Sequence, residues 1–307
     1  MKFDVLGDPH LGRSFVHGVP LHRRGDREAT VWADFNRSLM NTSADLHICM
    51  GDLFDKAYVS YDIIVSAALA YQAAAAAHPK TTFVILRGNH DIKRDLEAIS
   101  AFDLFNFLMA HTPNVRVLTE GFTQIGDCGF YPWHPTTPAG EFVQPSKYAF
   151  GHWDTQSFGG DDHNLVPLKE LMEAGVEHVY TGHVHKKEAG DYLTVVGSMQ
   201  PYAHGEESDD KLYVTKSLAE VQKDPEAFKN KCLRVVLEPG ELFDIDVDCL
   251  QLTVKRKDGP DAIEEEVVLG DFDIKSLFAK AFEEAGVPEA VQELIIERFD
   301  EQSSRSS

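Results

Sequence analysis

The chain predicts an α/β fold, and three observations carry that expectation. Short apolar runs with few charges alternate with segments of helical periodicity, the pattern of βαβ units. Five of those runs stop at a glycine. Each of these glycines is followed by a good metal ligand: Gly7-Asp8, Gly51-Asp52, Gly88-Asn89, Gly151-His152 and Gly182-His183. In folds of this class ligands collect beyond the carboxyl ends of the strands. Glycine there lets the backbone turn sharply and approach the ligand closely.

In chain order, Phe3–Leu6 reads as a strand and is followed by a polar loop, Leu11 to Glu28, holding Arg13, His17, His22, Arg23 and Arg24. A helix is expected over Thr30–Asn41, with Trp32, Phe35 and Leu39 on one face. After the strand Leu46–Met50, the alanine-rich segment Tyr61–Ala77 is strongly helix-forming. The strand Phe83–Leu86 precedes a helix over Leu96–His111, whose Leu96, Ile99, Phe102, Phe105 and Leu108 form an apolar stripe. From Asn114 to Tyr148 the pattern is short, β-like and rich in proline and glycine. Then come a strand at Tyr148–Phe150, a helix near Leu165–Ala174, a strand at His178–Thr181 and another at Tyr192–Val196. An acidic loop, Gly205–Asp210, leads to a strand at Lys211–Thr215 that closes a first domain, residues 1–216.

The remainder has another texture. Ser217–Lys229 reads as helical, Cys232–Leu237 and Leu242–Lys255 as strands, and Glu264–Leu269 as a further strand, giving a small region over residues 217–270. Two amphipathic helices, Asp273–Ala285 and Pro288–Asp300, occupy residues 271–301 and need a surface to bury their faces. The polar tail, residues 302–307, is expected to be disordered.

Composition bounds the function. With 307 residues, 43% of them hydrophobic, the chain can bury a sizeable core. No run approaches the roughly 20 apolar residues of a membrane span, so no membrane partner is expected. The N-terminus enters a strand at once, which argues against a signal peptide. Cys49, Cys128, Cys232 and Cys249 are scattered with no CxxC pair, which fits a reduced, cytoplasmic setting. The net charge of −21 argues against a freestanding sequence-reading DNA binder. It leaves a nuclease open, because bound divalent cations invert the local potential, and it favours a basic partner or a localised basic track.

The chemistry lies in the ligand-bearing turns. Asp8 and His10, like His183 and His185, are two apart, and on an extended backbone such positions share a face. With Asp52, Asn89 and His152 they make seven candidate ligands, enough for two metals sharing one carboxylate. Carboxylate, amide oxygen and imidazole without thiolate suit manganese or iron, with zinc admissible and magnesium better served by all-oxygen sites. Two metals about 4 Å apart clamp a phosphate for in-line attack and stabilise charge on the attacking and leaving oxygens. His90 would donate a proton to the leaving oxygen or pair electrostatically with the phosphate, and Asp55 would fix its tautomer. Arg13, Lys93, Arg94 and Lys186 follow the ligand motifs and either hold phosphates or are solvated surface. Taken singly, Asp-x-His is more often surface polarity and Gly-Asn-His-Asp a turn. His47, His78, His111 and His178 read as structural, and His134 as structural or cleft-lining.

Asp8-x-His10, Gly51-Asp52-x-x-Asp55, Gly88-Asn89-His90-Asp91, His152 and Gly182-His183-x-His185 resemble the five motifs of calcineurin-like metallophosphoesterases, in that family's order. His10-Leu11-Gly12, Leu53-Phe54 within the second motif, Gly151-His152-Trp153 and Val196-Gly197-Ser198 resemble its DNA-repair branch, the SbcD-type nucleases, and especially their short phage counterparts. The resemblance implies a two-sheet α/β metallophosphoesterase sandwich flanked by helices, with a small α+β cap at the C-terminus that positions DNA. One metal would take Asp8, His10, Asp52 and His185, the other Asp52, Asn89, His152 and His183. His90 would be the catalytic histidine, oriented by Asp55. It further implies two divalent cations, manganese foremost (Fe2+, Zn2+ or Mg2+ otherwise), and 3′-to-5′ exonuclease and single-strand endonuclease activity. The setting would be DNA repair, recombination or replication in the cytoplasm, the host's if phage-encoded. Partners would be DNA, an SbcC-type ATPase docking on the C-terminal helices, and a second copy of the chain. The alternatives are a phosphoesterase for a nucleotide or phosphoprotein and a non-catalytic scaffold. Protein phosphatases of the superfamily carry arginine after the second motif, where this chain has Lys56. Scaffolds lose ligands that this chain keeps.

Overall fold

A computed structural model describes residues 1–93, 98–156, 162–207, 209, 211–257 and 292. Four parallel strands, β1 (Phe3–Leu6), β2 (Leu46–Cys49), β3 (Thr82–Leu86) and β4 (Val115–Leu118), form one sheet in that order. They are joined through the helices α1 (Asp26–Met40), α2 (Tyr61–Ala77) and α3 (Ala101–Met109). A second sheet holds β5 (Thr123–Ile125), β6 (Cys128–Tyr131), β7 (Tyr148–Gly151), β8 (His178–Thr181), β9 (Glu188–Ala189) and β10 (Leu193–Val195), in the order β5-β6-β7-β8-β10-β9. Its inner strands run parallel and both edges are antiparallel. The helix α4 (Leu168–Glu173) links β7 to β8.

The two sheets pack face to face, as the expected sandwich requires. Leu46, Ile48, Met50, Val84 and Leu86 meet Cys128, Phe130 and Phe150 between them. Alternate residues of the first sheet, Cys49, Phe83 and Ile85, turn the other way onto Phe35, Leu39, Tyr71, Phe102 and Phe105 of the helices. Strands buried on both faces read as continuous apolar runs rather than alternating ones, which is how these runs appear in the sequence. The outer face of the second sheet has its own core, with Tyr131, Ala149, Trp153, Leu171 and Val179.

Helix boundaries shift from the expected ones for local reasons. α1 begins at Asp26 rather than Thr30, because its first turn is polar and hides from a periodicity that starts at Val31. Asp26 and Glu28 in that turn complement the helix dipole. α3 starts only at Ala101, where Ser100 and Asp103 form a reciprocal capping box. Ile99 therefore falls outside the helix and is 73% exposed, while Phe102 and Phe105 are buried as expected; Leu96 lies outside the described residues.

A third, parallel sheet follows, β11 (Tyr213–Ser217), β12 (Cys232–Leu237) and β13 (Gln251–Arg256), with α5 (Leu218–Lys223) packed on it. The helix expected over Ser217–Lys229 breaks at Pro225 into α5 and a 3-10 turn, Pro225–Phe228. Only the end of the expected strand Leu242–Lys255 pairs. Phe243, Ile245 and Val247 instead drop alternate side chains into the third sheet's core without joining a ladder. Residues 1–257 form one compact unit. The strand at Glu264–Leu269, the two C-terminal helices and the tail lie outside the described residues.

Candidate metal centre

All the predicted ligands sit just past the carboxyl ends of strands. β1, β2 and β3 deliver Asp8, His10, Asp52 and Asn89, and β7 and β8 deliver His152, His183 and His185. The glycines are needed for close approach. A Cβ on Gly88 would lie 2.1 Å from Asp52 Oδ1, and one on Gly51 2.3 Å from His152 Nδ1. Among the described residues, the non-glycine positions with positive φ are His10 (45°), Asp52 (47°) and His183 (72°), each a candidate ligand. Such backbone costs on the order of 1–3 kcal/mol per residue, and strain of this kind gathers at functional sites.

The side chains converge in two adjoining groups. Ligand atoms of Asp8, His10 and His185 lie within 4.8 Å of one another, as do those of Asp52, His152 and His183. Asn89 Oδ1 completes the second group, 3.0 Å from His152 Nε2 and 2.9 Å from His183 Nδ1. Asp52 Oδ2 faces both groups, 3.4 Å from His152 Nε2 and 3.8 Å from His10 Nε2. Two features show that this donor set fits cations. His10 Nε2 and His185 Nε2 stand 3.0 Å apart, and two imidazole lone pairs face each other that closely only with a proton or cation between them. Asp8 Oδ1 is buried without a hydrogen-bond partner among the described residues.

Three of the four candidate ligand histidines have their other ring nitrogen held by an acceptor, which fixes the tautomer. His152 Nδ1 donates to the Met50 carbonyl at 2.9 Å, His185 Nδ1 to Glu206 Oε1 at 3.0 Å, and His183 Nε2 to Asp154 Oδ1 at 2.7 Å. Burial disfavours charge on His152, but the Asp52 and Asp8 carboxylates outweigh it and raise its pKa to about 10. A cation in place of that proton would satisfy the same carboxylates. Burial raises Asp8 to about 6 against the pull of His152.

His90 lies at the rim, grouped with His10 and Asp52. Its Nδ1 donates to the backbone carbonyl of Asp55 at 2.7 Å, and its own N–H donates to Asp52 Oδ1 at 2.9 Å. A carbonyl only accepts, so Nδ1 carries a hydrogen and Nε2 is left outside that bond. Asp55 thus orients His90 through its backbone, not through the carboxylate that the sequence pointed to. That carboxylate stands 3.5 Å from Arg13 and 3.7 Å from His10 Nδ1.

Sequence reasoning missed three carboxylates. Asp154 and Glu206 are the partners of the candidate ligands His183 and His185. Asp154 lies two residues past His152, the spacing already used for the other ligand pairs, and Glu206 sits in the acidic loop. Asp91 is fully buried and accepts the N–H groups of Gly88 (2.9 Å), Leu53 (3.2 Å) and Phe54 (3.0 Å), tying the second and third ligand turns together. Burial, with the Asp52 charge, pushes Asp91 up to about 8 while those amide donors oppose it.

The expected phosphate-binding cations divide. Arg13 lines a cavity beside His90. Lys93 Nζ lies 3.6 Å from the centroid of the Tyr58 ring, Lys186 is exposed, and Arg94 lies outside the described residues. His134 closes a turn by accepting from Thr136 and Thr137.

No curated protein matches this chain. Among solved structures, the crystal structure of Pseudomonas putida nuclease MPE aligns at 14% identity and a TM-score of 0.30, over 64% of this chain and 74% of that one. The family model described as calcineurin-like phosphoesterase matches residues 1–187, more than half of the sequence and the stretch that holds all seven converging ligands and His90. The chain belongs to the calcineurin-like phosphoesterase family.

Proposed function

We propose that this chain is a two-metal DNA nuclease, hydrolysing phosphodiesters as a 3′-to-5′ exonuclease and single-strand endonuclease within an SbcC–SbcD-like complex. The observation that carries the hydrolytic reading is the pair of ligand groups facing a common Asp52, with the free Nε2 side of His90 beside them. Asp8, His10, Asp52 and His185 would hold one cation, and Asp52, Asn89, His152 and His183 the other. Bound divalent cations, manganese by preference, supply Lewis-acid activation of the nucleophile and neutralise charge on the phosphate. As an imidazolium whose Nδ1–H is held by the Asp55 carbonyl, His90 would give its Nε2 proton to the leaving oxygen and be left as the neutral Nδ1–H tautomer. Arg13, braced by Asp55, attracts the substrate phosphate. The nuclease branch, a second copy and an ATPase partner follow from the motif resemblance. A basic partner surface would also offset the −21 charge. That same charge favours one other reading, a phosphodiesterase for a small nucleotide, which needs no extended basic track.

The test is hydrolysis of a labelled linear DNA duplex with added Mn2+, run beside bis-p-nitrophenyl phosphate, with His90→Ala as the matched control. Wild type should cleave both, and the variant should lose about 10²–10⁴-fold on each. Unchanged turnover in His90→Ala would remove that residue from the mechanism. Cleavage of the small ester alone would favour the small-substrate reading unless adding the ATPase partner restores cutting.

A further inference from the structure

The turn that carries Asp8, Pro9 and His10 is held by a residue far along the chain. His10 keeps a left-handed φ of 45°, a conformation that persists only where its surroundings over-determine it. The peptide leading into His10 is fixed at both ends. Its N–H donates to the Asp52 carbonyl at 3.0 Å, and its carbonyl, that of Pro9, accepts the Tyr202 hydroxyl at 2.5 Å. Both partners are buried, and a bond to a buried acceptor is costly to lose.

Tyr202 reaches the other histidine of the first ligand group as well. Its backbone N–H donates to Glu206 Oε2 at 2.6 Å, while Glu206 Oε1 accepts from His185 Nδ1. Its ring meets both imidazoles edge-on, with centroids 5.3 Å from His10 and 5.7 Å from His185. One residue thus braces the two imidazoles whose Nε2 atoms stand 3.0 Å apart. Tyr202 is itself anchored by the third sheet. Tyr213 of β11 donates its hydroxyl to the Tyr202 carbonyl at 2.7 Å, and Arg27 donates to the neighbouring Pro201 carbonyl at 3.0 Å. The second ligand group is held from elsewhere, by the Met50 carbonyl on His152 and by Asp154 on His183.

We propose that Tyr202 is a positioning residue for the first cation alone. Its hydroxyl fixes His10, its N–H fixes Glu206 and through it His185, and β11 holds it in place. The role rests on the two-cation reading and adds to it an unequal dependence of the two cations on the third sheet.

The test is calorimetric titration of the metal-free whole chain with Mn2+, with spin-coupled manganese pairs followed by electron paramagnetic resonance. Tyr202→Phe keeps the ring and the N–H and removes only the hydroxyl. It should weaken one of the two cations about tenfold, the low end for losing a group that holds a ligand, and leave the other unchanged. With Mn2+ limiting, the coupled-pair signal should give way to that of isolated ions, and excess Mn2+ should restore it. Adding Asp154→Asn, which acts on the other group, should weaken both cations. Unchanged affinity for both cations in Tyr202→Phe overturns the proposal, and so does equal weakening of both or a cation of wild-type affinity surviving in the double variant. Should Tyr202→Phe fail to fold, Tyr213→Phe withdraws the β11 donor and should weaken one cation of the two; wild-type affinities there would overturn the role instead. A wild type that takes up a single cation sinks the two-cation reading itself, and this role with it.

Discussion

His90 shows how much of this centre depends on single atoms. Its Nδ1 is held by a main-chain carbonyl, so removing the Asp55 side chain leaves the tautomer intact. Asp55→Ala should therefore lose less than about tenfold in turnover of bis-p-nitrophenyl phosphate, against the 10²–10⁴-fold expected for His90→Ala; equal losses would return the orienting role to the carboxylate. The candidate ligands His183 and His185 differ, since Asp154 and Glu206 hold them by side chains. Asp154→Asn and Glu206→Gln should each weaken metal affinity about 10–100-fold by calorimetric titration, and wild-type affinity in both would contradict that assignment. Away from the centre, His47 is a buried histidine whose Nε2 lies 3.1 Å from Ser38 Oγ, and burial lowers its pKa to about 4 from 6.5. Above pH 6.5 both folded and unfolded forms are neutral there. As pH falls, the unfolded chain takes up a proton that the folded one refuses, so His47 draws stability down across pH 6.5 to 4, by about 3 kcal/mol in all. Urea midpoints over that range should fall less steeply in His47→Gln than in wild type; parallel slopes would refute the assignment.

At the scale of elements, the strand ends govern the site. Parallel strands present their carboxyl ends on one side, and a glycine at each exit removes the Cβ that would block the next ligand. Gly88 bears most directly on a candidate ligand, because its Cβ would overlap Asp52 Oδ1 at 2.1 Å. Gly88→Ala should fold but bind metal at least about tenfold more weakly, measured by elemental analysis after dialysis; full loading would show that the turn can yield. These strand ends were legible in the sequence because the strands are largely buried, β2 and β3 on both faces, which makes the runs short, apolar and sharply ended. Helix starts were less legible. The first turn of α1 is polar, and the capping box at Ser100 overrides an apolar stripe that continues upstream of it. The segment before β13 alternates in burial without pairing, a case in which period-two hydrophobicity reports packing rather than a ladder. The roles of Asp91 and Glu206 stayed hidden for another reason, since a carboxylate that accepts from backbone or imidazole carries no spacing rule of its own.

In the whole molecule, the sandwich and the third sheet share one compact unit. Their junction runs along the loop that carries Arg13. Leu252 N–H donates to the Gly18 carbonyl at 2.7 Å, and Gln251 to the His17 carbonyl at 2.9 Å. Arg27, only 2% exposed, donates to the Pro201 carbonyl at 3.0 Å and stacks near the rings of Phe15 and Tyr213. The third sheet thus braces the segment that leads from His10 to the cavity wall, which ties the region after residue 216 to the centre. No helix among the described residues is long and apolar enough to cross a membrane. Two cations sharing Asp52 between the sheets would show most directly in the metal stoichiometry of the whole chain. Elemental analysis of Mn2+-loaded, gel-filtered protein should find two ions per wild-type chain and fewer than one in Asp52→Ala. Two ions retained by that variant would contradict a shared carboxylate and, with it, the geometry from which the hydrolytic mechanism is derived.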